Sequence, residues 1–195
     1  MKDIPELDRR PVIVVVAGPN GAGKTTFYHV HIAATALRYV SADILARELE
    51  MDAYAAAKAS DAIRRALLGL KESFAFETVF SDPAGDKLSF LQEAIGVGYT
   101  VVLCFIGLED AGLCEERVAM RVSQGGHDVP TEKLRSRFPR TLVNLKAAIG
   151  VLPLVYVFDN SDLRHPFRRV AVFKNGRPVG RSKAVPAWFK GLARA

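Results

Sequence analysis

The sequence predicts an α/β fold: a parallel sheet with helices on both faces, an arginine-rich helical segment and a small C-terminal β-hairpin. Three observations lead there. An apolar run, Val12 to Ala17, passes straight into Gly18-Pro19-Asn20-Gly21-Ala22-Gly23-Lys24-Thr25 and then into helical sequence. Apolar runs of strand length continue to alternate with helical stretches as far as Phe158, as in a parallel sheet buried on both sides. Past Asn160 the rhythm changes, and two short runs flank Lys174-Asn175-Gly176, whose Asn-Gly is a strong hairpin turn signal.

In order along the chain, the first strand is expected at 12–17 and a helix at 25–37. A short strand at 38–40 ends in Ser41-Ala42-Asp43, where Ser41 or Asp43 caps the next helix. The alanine-rich stretch 52–70 carries apolar residues at helical spacing, and 73–78 reads as a strand ending in polar Glu77 and Thr78. Residues 86–95 are helical, then Gly96 and Gly98 punctuate the turn into a strand at 99–106. Helix resumes over 109–122. It is interrupted by Gln124-Gly125-Gly126-His127-Asp128-Val129-Pro130 and returns over 131–150, with a kink or break allowed at Pro139. A last parallel strand follows at 153–158. The hairpin reads as an antiparallel appendage of the core, so all 195 residues are expected to form one domain.

Gly-x-x-x-x-Gly-Lys-Thr between a buried strand and a helix is a phosphate-binding loop. Glycines let backbone N–H groups curl around an anion, and the helix start presents its positive dipole end to it. The expected nucleotide-binding set is Gly18, Pro19, Asn20, Gly21, Ala22, Gly23, Lys24, Thr25 and Thr26. Lys24 is to reach the β- and γ-phosphates and the Thr25 hydroxyl to ligate Mg²⁺; ATP is the expected nucleotide, with GTP as the alternative.

Ligands of open α/β sheets sit at the carboxyl ends of the strands, which selects Asp43 and Glu77. Asp43 is the candidate base that accepts a proton from an acceptor hydroxyl, with a plain helix cap as the competing reading. Glu77, with Thr78, is a candidate for substrate hydroxyls, and Glu77 also for Mg²⁺ through water; an exposed strand end competes. Asp159 closes a similar apolar run and ranks below Glu77. Arg117, Arg121, Arg135, Arg137 and Arg140 bracket the glycine-containing segment, as a lid closing on phosphate requires, with a solvated basic helix as the bland alternative. His127 at the tip reads as a hinge or surface contact.

Net charge is +6, and from Leu163 onward there are nine Lys or Arg and no Asp or Glu. Such a stretch suits nucleic acid, an acidic protein or a phosphate-rich substrate, or is simply solvated surface. No apolar stretch reaches membrane-spanning length, so no membrane partner is expected. Asp3, Glu6 and Asp8 argue against a signal peptide. Cys104 and Cys114 lack metal-ligand spacing, and a reduced, cytoplasmic protein is expected.

Taken together, the residues resemble the zeta-toxin-like P-loop kinases, in their short, chromosomally encoded bacterial form. The match runs through the phosphate loop to Thr26, Ala42-Asp43, Phe76-Glu77-Thr78, Gly98-Tyr99, and Arg117-Val118 to Arg121-Val122. It continues in Gly125-Gly126-His127-Asp128-Val129-Pro130, Arg137, Asn144-Leu145 and Phe158-Asp159-Asn160-Ser161. The resemblance implies a P-loop kinase-like fold with a lid over about 117–140. It implies phosphoryl transfer from ATP with Mg²⁺ to a small acceptor, a nucleotide sugar such as UDP-N-acetylglucosamine first, and an antitoxin partner. By position, Lys24, Asp43, Arg121 and Arg137 would be catalytic, Thr25 the metal ligand, and Asp43, Glu77, Thr78 and Arg117 would contact substrate. Two departures stand out: the chain is short, and Val79-Phe80-Ser81 follows Thr78 where a second Thr is common. Other acceptors (a sugar, nucleoside or antibiotic) stay open, as does a nucleotide-hydrolysing switch that binds nucleic acid or protein through the basic C-terminal stretch.

Overall fold

The computed structural model describes residues 4–126 and 128–192, so His127 lies outside the described residues. The strands are β1 (Val12–Ala17), β2 (Arg38–Val40), β3 (Phe74–Thr78), β4 (Thr100–Gly107), β5 (Leu154–Asp159), β6 (Arg168–Lys174) and β7 (Arg177–Arg181). They form one sheet in the order β2-β3-β1-β4-β5-β6-β7. The first five run parallel, while β6 is antiparallel to β5 and β7 to β6. All six β1 residues are buried, which explains why that run is apolar throughout. The chain leaves β1 toward one side for β2 and β3 and toward the other for β4 and β5. That reversal opens a crevice at the carboxyl ends of the strands.

The helices are α1 (Lys24–Phe27), α2 (Ala42–Glu48), α3 (Ala53–Gly69), α4 (Asp86–Gly96), α5 (Ala111–Ser123), α6 (Thr131–Val151) and α7 (Ala187–Leu192). They cover both faces. Leu67, Phe90, Leu145 and Trp188 bring α3, α4, α6 and α7 onto Phe74, Phe76 and Phe105 of one face. Phe27, Tyr28 and Cys114 bring the first helical run and α5 onto Val14, Cys104 and Tyr156 of the other. Asp52 caps α3 by accepting from Tyr54 N and Ala55 N, and Asp110 caps α5 by accepting from Leu113 N.

Three local expectations change. The helix expected at 25–37 is not uniform: α1 passes into a π-turn over Tyr28–Ile32 and a 3-10 turn over Ala33–Thr35. The widened turn accompanies the stacking of Tyr28 on Tyr39 of β2, with ring centroids 3.6 Å apart and planes 9° from parallel. Pro139 sits inside α6 without ending it. The hairpin is antiparallel and attached to the core as expected, but more closely, since β6 pairs with β5 and extends the main sheet. Asp159 ties this region down: Trp188 Nε1 and Ser161 Oγ donate to its Oδ1 at 3.0 and 2.7 Å, and Arg168 Nη2 to its Oδ2 at 3.1 Å. Gly107 makes room for that arrangement, since a Cβ there would come within 2.1 Å of the Trp188 ring.

Both cysteines are free and buried. Burial pushes the Cys104 thiol up to about 12 and that of Cys114 to about 11, which leaves both as inert apolar side chains. Among the described residues, no helix is long and apolar enough to cross a membrane.

Candidate active site

The phosphate loop links β1 to α1, and its backbone demands glycine at specific points. Gly18 has φ +148°, and a Cβ there would fall 2.1 Å from the Ile106 carbonyl oxygen. Gly23 caps α1 in the left-handed region at φ +82°, and a Cβ there would sit 2.9 Å from Asn160 Nδ2. Asn160, just after β5, braces the loop. Its Nδ2 donates to Ala22 O at 3.0 Å, its Oδ1 accepts from Phe167 N at 3.3 Å, and its own N–H donates to Gly107 O. Asn160→Ala should loosen the loop, weaken ATP binding about tenfold and destabilise the fold by about 1–3 kcal/mol. Calorimetric titration and urea denaturation check the two effects; unchanged ATP affinity would remove Asn160 as a brace.

Lys24 Nζ donates to Pro19 O at 3.0 Å, across the mouth of the loop. Burial pushes its ammonium below the ordinary lysine value, while Glu77 and Asp43 pull it back up. Thr25 Oγ1 donates to Glu77 Oε2 at 2.9 Å, and Ser41 Oγ donates to Glu77 Oε1 at 2.6 Å. Glu77 therefore stands beside the hydroxyl expected to hold Mg²⁺. Ser41 is also the cap of α2, accepting from Ile44 N at 3.3 Å. Asp43, in the first turn, is thus not needed as a cap. Its carboxylate makes no hydrogen bond or ion pair among the described residues, and it lines the cavity.

That cavity holds about 750 Å³, within the range of small-molecule sites. The phosphate loop contributes Asn20, Gly21, Gly23, Lys24, Thr25 and Thr26 to its wall, whereas Gly18, Pro19 and Ala22 do not line it. Asp43, Glu77 and Thr78 form another side, and Arg117, Arg121 and Arg137 close a third. Thr78 Oγ1 accepts from Phe80 N, shaping the turn after β3, where Phe80 adopts φ +59°. Asn144 Nδ2 holds that turn through Phe80 O and Asp82 O, both at 3.0 Å.

The two arginine helices are joined across their surface by Arg135, whose Nε and Nη2 donate to Glu115 at 2.6 and 3.1 Å. Arg135 consequently lies off the cavity, while Arg140 lines it. Arg117 Nη2 donates to Ser161 O at 3.0 Å, and a Cβ on Gly21 would touch Arg117 Cβ at 3.0 Å. Arg117 is therefore set against the phosphate loop itself. Sequence reasoning offered Ser41 as a helix cap but not as a partner of Glu77, and gave no role to Asn160 or Arg64, although Asn160 stood in a quoted motif.

A magnesium–nucleotide complex suits these residues. The oxygen pair of Thr25 and Glu77 lies beside a lysine and a glycine cradle, and Asn20 Oδ1 is buried without a partner on the cavity wall. Among the described residues no group of three His, Cys, Asp or Glu could hold a metal alone.

Neither a protein-family model nor a curated protein matches this sequence. Solved structures do. The AvrRxo1-ORF1:AvrRxo1-ORF2 complex with sulphate ions gives a TM-score of 0.71 at 16% identity, covering 98% of this chain and 66% of that one. The same complex with ATP gives 0.68 at 17% identity, covering 91% and 62%. The chain of the PezAT chromosomal toxin–antitoxin system of Streptococcus pneumoniae gives 0.57 at 14% identity, covering 96% and 82%. The chain shares its fold with these solved structures. A gluconokinase from Sinorhizobium meliloti shares this fold with a TM-score of 0.51 at 19% identity, over 82% of this chain and 89% of its own. The chain spans a little under two thirds of the AvrRxo1 chains it resembles.

Proposed function

We propose that the protein is an ATP- and Mg²⁺-dependent kinase that transfers the γ-phosphate to a hydroxyl of a small acceptor. One observation carries this reading: Lys24, the Thr25–Glu77 pair, Asp43 and the arginines of α5 and α6 converge on a single cavity. Phosphoryl transfer asks a protein for positioning and charge neutralisation more than for covalent chemistry. Lys24 exchanges its Pro19 carbonyl for phosphate oxygens. Thr25 and Glu77 would hold Mg²⁺, which would supply charge neutralisation for the phosphates. Asp43 accepts the proton of the acceptor hydroxyl. Arg121 and Arg137 offset the charge that develops on the transferring group, and the closed helices keep out water, the competing acceptor.

A nucleotide sugar, UDP-N-acetylglucosamine first, is the acceptor we favour, with the toxin of a toxin–antitoxin pair as the setting. The solved complexes of AvrRxo1 and PezAT are consistent with a protein antitoxin. ATP as donor and a reduced pair of cysteines suit the cytoplasm. The switch reading is weakened because Arg168 and Lys174, two cations of the basic stretch, are engaged by Asp159 and Glu6 within the fold. Incubation with γ-labelled ATP, Mg²⁺ and a panel of nucleotide sugars, sugars and nucleosides tests the proposal. Label is expected in a phosphorylated nucleotide sugar. Label in another acceptor would redirect the substrate, and label only as free phosphate across the panel would sink the kinase reading.

A further inference from the structure

The Thr25–Glu77 pair stands on a residue that the proposed transfer leaves without a role. In β2, Val40 packs on the same face of the sheet as Phe76, whereas Tyr39 packs with Ala75 on the other. Side chains alternate along a strand, so Tyr39 and Ser41 share that second face, as do Ala75 and Glu77 of the neighbouring strand. The 2.6 Å bond from Ser41 Oγ to Glu77 Oε1 runs on this side. Tyr39 pairs in register with Ala75, which places it directly before the Ser41–Glu77 bond along the two strands.

The Tyr39 ring is held by the Tyr28 ring stacked on it at 3.6 Å, and Tyr28 Oη in turn donates to Leu37 O at 3.2 Å. The Tyr39 hydroxyl differs from that of Tyr28: its oxygen is buried and has no hydrogen-bond partner. Burial, and after it the Glu77 carboxylate close by, push the phenol far above its ordinary value, while the Thr25 hydroxyl acts on it in the opposite sense. The hydroxyl therefore stays protonated, and it stands near both members of the pair while bonded to neither. A buried phenol ordinarily finds a partner, and leaving one unmatched is costly. Glu77 has room to supply it. A carboxylate accepts at about four sites, and Thr25 and Ser41 each use one.

We propose that Tyr39 is a positioning residue for the carboxylate of the metal site: its hydroxyl donates to Glu77 when nucleotide and Mg²⁺ are bound, and so holds that carboxylate against Thr25. This rests on the kinase reading and adds to it a residue that does not itself line the cavity. The hydroxyl is unmatched in the structure as it stands and gains its partner only with the loaded site. Its contribution therefore falls on metal-dependent binding and not on folding, the reverse of what a structural tyrosine gives.

The test compares the full chain with Tyr39→Phe, which keeps the stacked ring and removes only the hydroxyl. A non-hydrolysable ATP analogue is titrated calorimetrically into each, once in EDTA and once in saturating Mg²⁺, and thermal scans follow the nucleotide-free proteins. The gain in affinity that Mg²⁺ confers should fall about tenfold in Tyr39→Phe, while affinity in EDTA stays within about twofold. The melting temperature of the nucleotide-free variant should hold or rise, because an unmatched buried group has gone. Tyr28→Phe is the control: it breaks the bond to Leu37 O, so it should lower the melting temperature and leave the Mg²⁺ gain unchanged. An unchanged Mg²⁺ gain in Tyr39→Phe, an equal loss of affinity with and without Mg²⁺, or a Mg²⁺ gain that falls as far in Tyr28→Phe overturns the inference and leaves the kinase reading in place. Failure of the analogue to bind the parent protein overturns both.

Discussion

Asp43→Asn should slow phosphoryl transfer by about 10²–10⁴-fold while ATP affinity stays within about twofold. The structure makes this a clean substitution. Ser41, not Asp43, caps α2, and the Asp43 carboxylate makes no hydrogen bond or ion pair among the described residues. Replacing it with an isosteric amide therefore removes a proton acceptor and little else, and the melting temperature should hardly move. Single-turnover transfer measured beside nucleotide titration separates the two effects. An unchanged transfer rate would remove Asp43 as base, and a large drop in melting temperature would reveal a structural role instead.

Lys24→Met should abolish the stabilisation that ATP and Mg²⁺ confer, yet leave the nucleotide-free protein at least as stable as before. Burial lowers the Lys24 ammonium from its ordinary value, so the empty loop carries a charge that it pays to desolvate. Methionine keeps the apolar stem and removes that charge. With nucleotide at about 100 times its Kd, the parent protein should gain about 2.7 kcal/mol, roughly 5–10 °C in Tm. Thermal scans of both proteins with and without ATP and Mg²⁺ give the answer. A shift retained in Lys24→Met would dismiss Lys24 as the phosphate anchor. A pH effect follows from the same lowered value. Phosphate oxygens favour the charged amine, so ATP affinity should fall as pH rises through the lowered Lys24 pKa, on the acid side of the ordinary 10.5.

How far the site could be read in advance depended on whether its parts were local. The phosphate loop needs a buried strand, glycines at fixed points and a helix start, and all of these are neighbours in the chain. The carboxyl-end rule likewise led to Asp43 and Glu77 once β2 and β3 were recognised. The division of work between Ser41 and Asp43 was not legible, because either can cap a helix. In the structure Ser41 Oγ is the cap, accepting from Ile44 N, and it also donates to Glu77, 36 residues away, at 2.6 Å. Among the arginines, helical phase held unused information. Arg135 and Arg137 are two residues apart and point to nearly opposite sides of α6, while Arg137, Arg140 and Asn144 follow at intervals of three and four and share one face. The phase alone does not say which face meets the cavity; the Arg135–Glu115 pair on the outer side shows it.

The sequence by itself determined the phosphate cradle, the alternation that builds a parallel sheet, and the two carboxylates at its carboxyl edge. Each rests on interactions between near neighbours: backbone angles only glycine tolerates, apolar runs that must be buried on both faces, helix caps. Only the tertiary structure decided that Glu77 serves Thr25 and Ser41 together, that Asn160 braces the loop from across the sheet, and that Arg64 and Arg140 line the same cavity. Those contacts join segments far apart in the chain, and their partners are fixed by strand order and helix packing.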